Sequence, residues 1–325
     1  MTKLFFFYFL LLTISNVIAS DNEKIVLMYH RVGDDQYPST NVSLELFKDQ
    51  MEYLEKNNYE IDSISNIQDF SEDTRKFKKV YITFDDGFLS IYKNAYPILS
   101  EKKFPFSIFI STKFIKENND NDFMNWDMIK ILEDNNVEIY NHGHSHKSFV
   151  AMDINDAKKD ILNSKKIIEE KINYKSEVIS FPYGETSNEI NKFLKDSGYK
   201  IAFGQHSGII NKNSNFLNLP RFAINQNYGQ MNRFKKILNY SRLTTFDENP
   251  SDSIVKSSQL NYSFRSDKPL KSINCFLRNK ILKKTITDQK IKIMGKLING
   301  RNRINCTFID LNGKIFWHTK MLIFD

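Results

Sequence analysis

Cysteine is scarce in this sequence: there are two, Cys275 and Cys306, both near the end of a chain of 325 residues. They allow one disulfide at most. In an oxidising compartment that pairing is expected, although spacing alone does not bring the two Cα atoms together and two unpaired buried thiols remain the alternative. Long apolar runs are also missing. The stretch Leu4 to Leu12 falls short of the roughly 20 residues that a membrane-spanning helix needs, and no other stretch could span a bilayer. Headed by Lys3, and followed by Val17-Ile18-Ala19 and the charged Asp21 to Lys24, it reads as a signal peptide over residues 1–20, with a retained anchor as the alternative. The expectation is export to the periplasm, the extracellular space or the cell envelope, with no transmembrane span after cleavage. Glycine (11) and proline (7) are few, within a composition rich in Lys, Asn, Ile and Phe that carries no functional reading. There is no internal repeat and no long low-complexity segment. A concentrated basic motif is absent as well: the net charge is +7, but Lys and Arg are scattered over the chain, so no nucleic-acid partner is expected.

What is present is enough to build a core. With 41% hydrophobic and 26% charged residues over this length, two domains are expected. From Ile25 to about Tyr240 short β-rich runs alternate with helical patterns. The runs are Ile25 to Tyr29, Val80 to Phe84, Phe106 to Ile110, Val137 to Tyr140, Val178 to Phe181 and Ile201 to Phe203. Between them lie a helix capped by Ser43 with Phe47, Met51 and Leu54 on one face, and helices over Ile91 to Lys102, Trp126 to Asp134 and Ile154 to Lys171. This alternation predicts an α/β fold, a (β/α) barrel over 21–242 with reactive groups at the C-terminal ends of its strands. Residues 243–259, with Asn249-Pro250 and several Ser and Asp, break the rhythm and are expected as a linker. Short alternating segments over 260–325, with turn signals at Asn299-Gly300 and Asn312-Gly313, predict hairpins in a small all-β module.

Two clusters could carry chemistry. Asp85-Asp86-Gly87 follows the strand ending at Phe84, which places two carboxylates at a strand tip, although alone it is also an ordinary turn composition. Asn141-His142-Gly143-His144-Ser145-His146 places three of the chain's six histidines within five residues. The spacing of His142 and His146 lets two imidazoles face one ion, with His144 pointing elsewhere; a solvated turn is the alternative. Two histidines and one carboxylate leave open positions for water and substrate, and a second carboxylate can accept the water's proton.

Thr83-Phe84-Asp85-Asp86-Gly87, His142-Gly143-His144-Ser145-His146 and Phe181-Pro182-Tyr183-Gly184 together resemble, in order and spacing, the polysaccharide deacetylase family, the NodB-homology or carbohydrate esterase family 4 domain. The resemblance covers about 200 residues, with Met28-Tyr29-His30 and Leu219-Pro220-Arg221 included, and is nearest the poly-N-acetylglucosamine deacetylase-like branch. It implies a distorted NodB-type barrel and removal of N-acetyl groups from an amino-sugar polysaccharide. It also implies one divalent ion on Asp86, His142 and His146, Asp85 as general base, and the Tyr183 backbone N–H as oxyanion donor. Zinc suits the ligand set first, with cobalt, nickel or iron fitting the same geometry. Trp126 and Pro182 are candidate substrate contacts, with Trp126 alternatively packing a helix onto the barrel.

Two departures from the family's pattern stand out. Ser180 occupies the position where many members carry an Arg that orients the base, and no His lies between His206 and His318 to serve as the late general acid. His30, after the first strand, is the candidate replacement acid, with His206 behind it. Arg221 is a candidate partner for Asp85 in place of the missing Arg and a candidate substrate contact, with a surface or structural ion pair as the alternative. A carbohydrate-binding protein without catalysis, and a metallohydrolase acting on a small amide, are the alternatives. Two aspartates beside two metal-spaced histidines favour the enzyme, since a binding site needs no base beside a ligand.

Overall fold

The computed structural model describes residues 22–71, 78–118, 122–172 and 176–324. The expected signal segment lies outside the described residues. Chain order begins with β1 (Lys24–Tyr29), the short β2 (Arg31–Val32) and β3 (Asn41–Val42), α1 (Leu44–Lys56) and β4 (Lys79–Asp86). It continues with α2 (Tyr96–Glu101), β5 (Ser107–Ile110), α3 (Trp126–Asp134), β6 (Glu138–Asn141) and α4 (Ile154–Ile172). The barrel ends with β7 (Val178–Ser180), α5 (Asn188–Asp196), β8 (Ile201–Phe203), β9 (Phe222–Ala223) and α6 (Met231–Leu238).

Seven of these strands form one parallel sheet in the order β8-β7-β6-β5-β4-β1-β9. Parallel strands covered on both faces are apolar throughout, and β1, with the sequence KIVLMY, is buried along its whole length. The sheet curls but does not close: among the described residues β8 and β9 share no ladder, and Leu219, which bridges Phe203, leads into the gap between them. Helices start where the sequence caps them. The hydroxyl of Ser43 accepts from Leu46 N–H, and α1 buries Phe47, Met51 and Leu54 against the sheet. The helix expected over Ile91 to Lys102 is divided, since Ile91–Ala95 forms a π turn before α2.

The C-terminal region is all β. It comprises β10 (Ser241–Arg242), β11 (Thr245–Asn249), β12 (Ile254–Val255), β13 (Gln259–Ser266), β14 (Asn274–Leu277) and β15 (Lys280–Ile281). Then follow β16 (Lys283–Thr287), β17 (Lys290–Lys296), β18 (Gly300–Ile309) and β19 (Ile315–Phe324). One sheet runs β10-β19-β18-β14-β15, with β12 also on β19; the other runs β11-β13-β17-β16. Alternating residues of both sheets, among them Tyr262, Phe264, Ile293, Ile304 and Leu322, share one core, so the region is a sandwich. Two expectations need correction. Residues 243–259 are not a free linker, because β11 and β12 are paired into the two sheets. Asn299-Gly300 is not a hairpin, because β17 pairs with β13 and β16 while β18 pairs with β14 and β19; it marks the crossing from one sheet to the other. Asn312-Gly313 does turn the β18–β19 hairpin, with Gly313 at φ +78°. Cys275 and Cys306 face each other across β14 and β18 and are joined as a disulfide.

Trp317 on β19 stacks on Tyr240, just beyond α6, with ring centroids 5.3 Å apart, and this contact joins the sandwich to the barrel.

Candidate active site

The C-terminal ends of β4, β6 and β7 converge on one point. β4 runs through both aspartates, so Asp85 and Asp86, as successive strand residues, leave opposite faces of the chain. Asp86 takes φ +75°, and Gly87 follows at +85°, where an added Cβ would lie 2.9 Å from Ile115 Cδ1; the chain turns sharply behind the carboxylates. β6 delivers His142, and a tight loop returns His146 at φ +56°. Left-handed backbone at residues other than glycine is costly and concentrates at functional sites, and here it coincides with the two motifs.

Asp86 Oδ1 lies 3.3 Å from His142 Nε2 and 2.9 Å from His146 Nε2. Ligand atoms of the three residues all fall within 4.8 Å of one another. Four ligands about 2.0 Å from a tetrahedral ion stand about 3.3 Å apart, so the trio has the dimensions of a metal site. Asp86 Oδ1 and His142 Nε2 are buried without a hydrogen-bond partner of acceptable geometry, which is costly unless a cation satisfies them. His142 Nδ1 lies 2.9 Å from the Ser180 carbonyl oxygen. Donation of Nδ1–H to that carbonyl leaves the Nε2 lone pair available on the side of Asp86 and His146, as a ligating imidazole requires. His144 turns away, its Nδ1 2.9 Å from the Thr112 hydroxyl, as expected.

Asp85 has different surroundings. It is fully buried and held by two parallel hydrogen bonds, Arg221 Nη1 to Oδ1 and Nη2 to Oδ2, each 2.7 Å. Arg221 is itself fully buried; its Nε donates to the Gly204 carbonyl at 3.1 Å, and its guanidinium carbon lies 5.3 Å and 5.6 Å from the ring centroids of Phe109 and Phe203. Burial alone would raise the Asp85 carboxyl, but the charge of Arg221, with His142 and His30, holds it below its usual value. Burial also opposes ionisation of Asp86, and contacts with His142, His146 and His30 hold it well below. For His142 burial disfavours the charge, while Asp85 and Asp86 outweigh it and raise the pKa. Burial lowers His30, against the opposing pull of Asp86 and Asp85.

The remaining sequence candidates separate clearly. Arg221, directly before β9, partners Asp85, and its burial removes it from direct substrate contact. Ser180 Oγ approaches Asp85 only to 3.4 Å. Trp126 is 4% exposed, opens α3 directly after its Asn125 cap and packs in the barrel core, which removes it from direct substrate contact. Pro182 is buried at the head of a short turn in which Tyr183 takes φ 61° and ψ 2°. Tyr183 is 40% exposed, and its ring centroid lies 4.9 Å from that of His146. His206 lies in a separate cavity with Glu248, Trp317 and His318.

Sequence reasoning missed the groups that hold the histidine loop. Asp160 on α4 accepts from the N–H of His144 at 2.7 Å and of Ser145 at 3.0 Å. Asn141 accepts from Gly143 N–H at 2.7 Å and donates to Tyr199 Oη at 2.6 Å. An Asp within a helix and a Tyr far along the chain carry no motif; a buried polar residue on the apolar face of α4 was the one available signal.

Residues 72–202 match the family model described as polysaccharide deacetylase. A poly-beta-1,6-N-acetyl-D-glucosamine N-deacetylase of Staphylococcus aureus is 28% identical over 236 residues, covering 63% of this chain and 79% of the relative. Among solved structures, the Streptococcus pyogenes deacetylase PplD in complex with acetate is similar with a TM-score of 0.58 at 21% identity, over 63% of this chain and 93% of that one. IcaB from Ammonifex degensii gives 0.57 at 21% identity, over 65% and 95%. These two likenesses bear on the fold, a distorted NodB-type barrel. The motif residues gathered at one point of that barrel, from Asp85 to Tyr183, all lie within the stretch that matches the polysaccharide deacetylase model.

Proposed function

We propose that the protein removes N-acetyl groups from an amino-sugar polysaccharide of the cell envelope or exopolysaccharide, releasing acetate and leaving a free amine. The observation that carries this reading is the trio Asp86, His142 and His146 with Asp85 beside it, 4.0 Å from His142 Nε2. A binding site needs no second carboxylate held by a buried guanidinium. The similarity to a poly-N-acetylglucosamine deacetylase favours an N-acetylated polymer.

Asp86, His142 and His146 would hold one divalent ion, zinc by ligand type, with cobalt, nickel or iron alternatives. Such an ion polarises a carbonyl and acidifies bound water. Asp85 takes the proton of the attacking water, with Arg221 fixing the carboxylate plane and Oδ2, 4.0 Å from His142 Nε2, lying beside the ligand trio. The Tyr183 N–H donates to the oxyanion that develops on the former carbonyl oxygen. His30 gives a proton to the departing amine, since an amide anion is too poor a leaving group to depart unprotonated. Export is supported by the pattern of residues 1–20 and by the Cys275–Cys306 disulfide.

Acetate release from poly-N-acetylglucosamine, chitooligosaccharides and peptidoglycan tests the reading. Activity should vanish with a chelator and return with added divalent metal. Acetate release unaffected by complete metal removal, or none from any N-acetylated polymer, would overturn it.

A further inference from the structure

We propose that Arg301, from the C-terminal sandwich, is a positioning residue for the turn at Tyr183. The role rests on the reading of Tyr183 as oxyanion donor. Along β18 the side chains alternate: Asn302, Ile304 and Cys306 are buried, while Arg301 and Arg303 are exposed on the other face. The crossing at Gly300, φ +80°, brings Arg301 to the mouth of the barrel. Its Nη1 donates to the Tyr183 carbonyl at 3.0 Å, its Nε lies 3.4 Å from Glu185 Oε1, and its guanidinium carbon is 5.7 Å from the Tyr183 ring centroid. Glu185 is in turn bonded by the Ser148 hydroxyl.

These contacts fall on the one residue of the turn that needs external support. Pro182 fixes its own φ, and Gly184 adopts φ +72° without penalty, pressed so closely on Gln205 that a Cβ would lie 2.3 Å from the Gln205 nitrogen. Tyr183, between them, holds a left-handed conformation that a tyrosine adopts reluctantly. A bond to its carbonyl restricts ψ, and the guanidinium over its ring restricts the side chain that packs on His146. Rotation at this residue would swing the Tyr183 N–H away from the reacting carbonyl. The sandwich thereby completes a turn that the barrel alone leaves half-secured.

The test compares Arg301→Ala and Arg301→Lys in the full chain, with Arg265→Ala, an exposed arginine paired with Asp247, as control. Arg301→Ala should lower kcat about 10- to 100-fold, with KM and metal content near wild type, as expected for a misplaced donor. Arg301→Lys should recover part of the loss, because an ammonium can still donate to the carbonyl. An unchanged kcat in Arg301→Ala overturns the role. So does a raised KM alone, which would mark direct substrate contact, or loss of metal, which would route the effect through His146. If the wild-type protein releases no acetate, the reading of the reaction fails, and a crystal structure of Arg301→Ala decides the positioning separately. Tyr183 leaving the left-handed region supports it; Tyr183 unmoved overturns it.

Discussion

Asp85 and Asp86 are identical in type and adjacent in sequence, and their surroundings differ. Asp86 Oδ1 faces two imidazole nitrogens, whereas both oxygens of Asp85 face one guanidinium. Asp86→Asn should therefore lose metal and activity together. Asp85→Asn should keep its metal and lose roughly 10²-fold or more in turnover, since an amide cannot accept the water's proton. Metal content measured alongside acetate release separates the two, and the reverse pattern would exchange their roles. His30→Ala should retain fold and metal and slow the N-acetyl substrate by roughly 10²-fold, with a much smaller loss on an activated ester whose leaving group needs no proton. Wild-type turnover of the N-acetyl substrate in that variant would move the acid to another residue.

The histidine loop is anchored by a helix rather than by its own residues. Asp160 on α4 accepts two backbone N–H groups of that loop, and Gly143 at φ +75° admits the carboxylate where a Cβ would lie 2.9 Å from it. Asp160→Ala should weaken metal binding by about 10- to 100-fold, in the range for lost outer-shell support, measured by competition with a chelator. Affinity equal to wild type would show that the loop holds its shape unaided. Local patterns made much of this legible in advance. The Ser43 cap, the apolar strands and the helix over Trp126 to Asp134 follow from short-range periodicity, and the spacing of His142 and His146 carries its own geometric meaning. Contacts made over long sequence distances had no such trace: Asp160, Tyr199 and Arg301 act on residues more than a dozen positions away. The stretch 243–259 reads as a linker because its Ser, Asp and Pro suit an edge, and β11 is indeed the outer strand of its sheet. Asn299-Gly300 signals a turn correctly, but composition does not say whether the chain returns in the same sheet or crosses to the other.

On the scale of the whole molecule, barrel and sandwich enclose a polar cavity of about 270 Å³ lined by His206, Arg242, Glu248, Trp317 and His318, among others. Burial pushes His206 down to about 3 and lowers His318 as well. Burial would raise Glu248, yet His318, Lys320 and the Thr245 hydroxyl hold it at about 2. In the unfolded chain the histidines take protons below about 6.5 and the glutamate below about 4.5, so all three favour unfolding as pH falls. Stability should be full near neutrality and decline from about pH 6.5 toward pH 2, the Glu248 share being lost between about 4.5 and 2. Melting temperatures of the wild type and Glu248→Gln across that range test this: the variant should show the shallower fall below about pH 4.5. Parallel curves would remove Glu248 from the account. The open seam of the barrel has a different consequence, in time rather than in space. Asp85 and Arg221 are 136 positions apart, and the arginine sits at the last strand, beyond the end of the family match at residue 202. The ligand trio is complete by His146, so a growing chain acquires every group that could hold an ion long before it acquires the partner of its base. Arg301, later still, arrives after both; on the proposed roles the order of synthesis runs from binding to chemistry, and full competence waits for the sandwich strand β18.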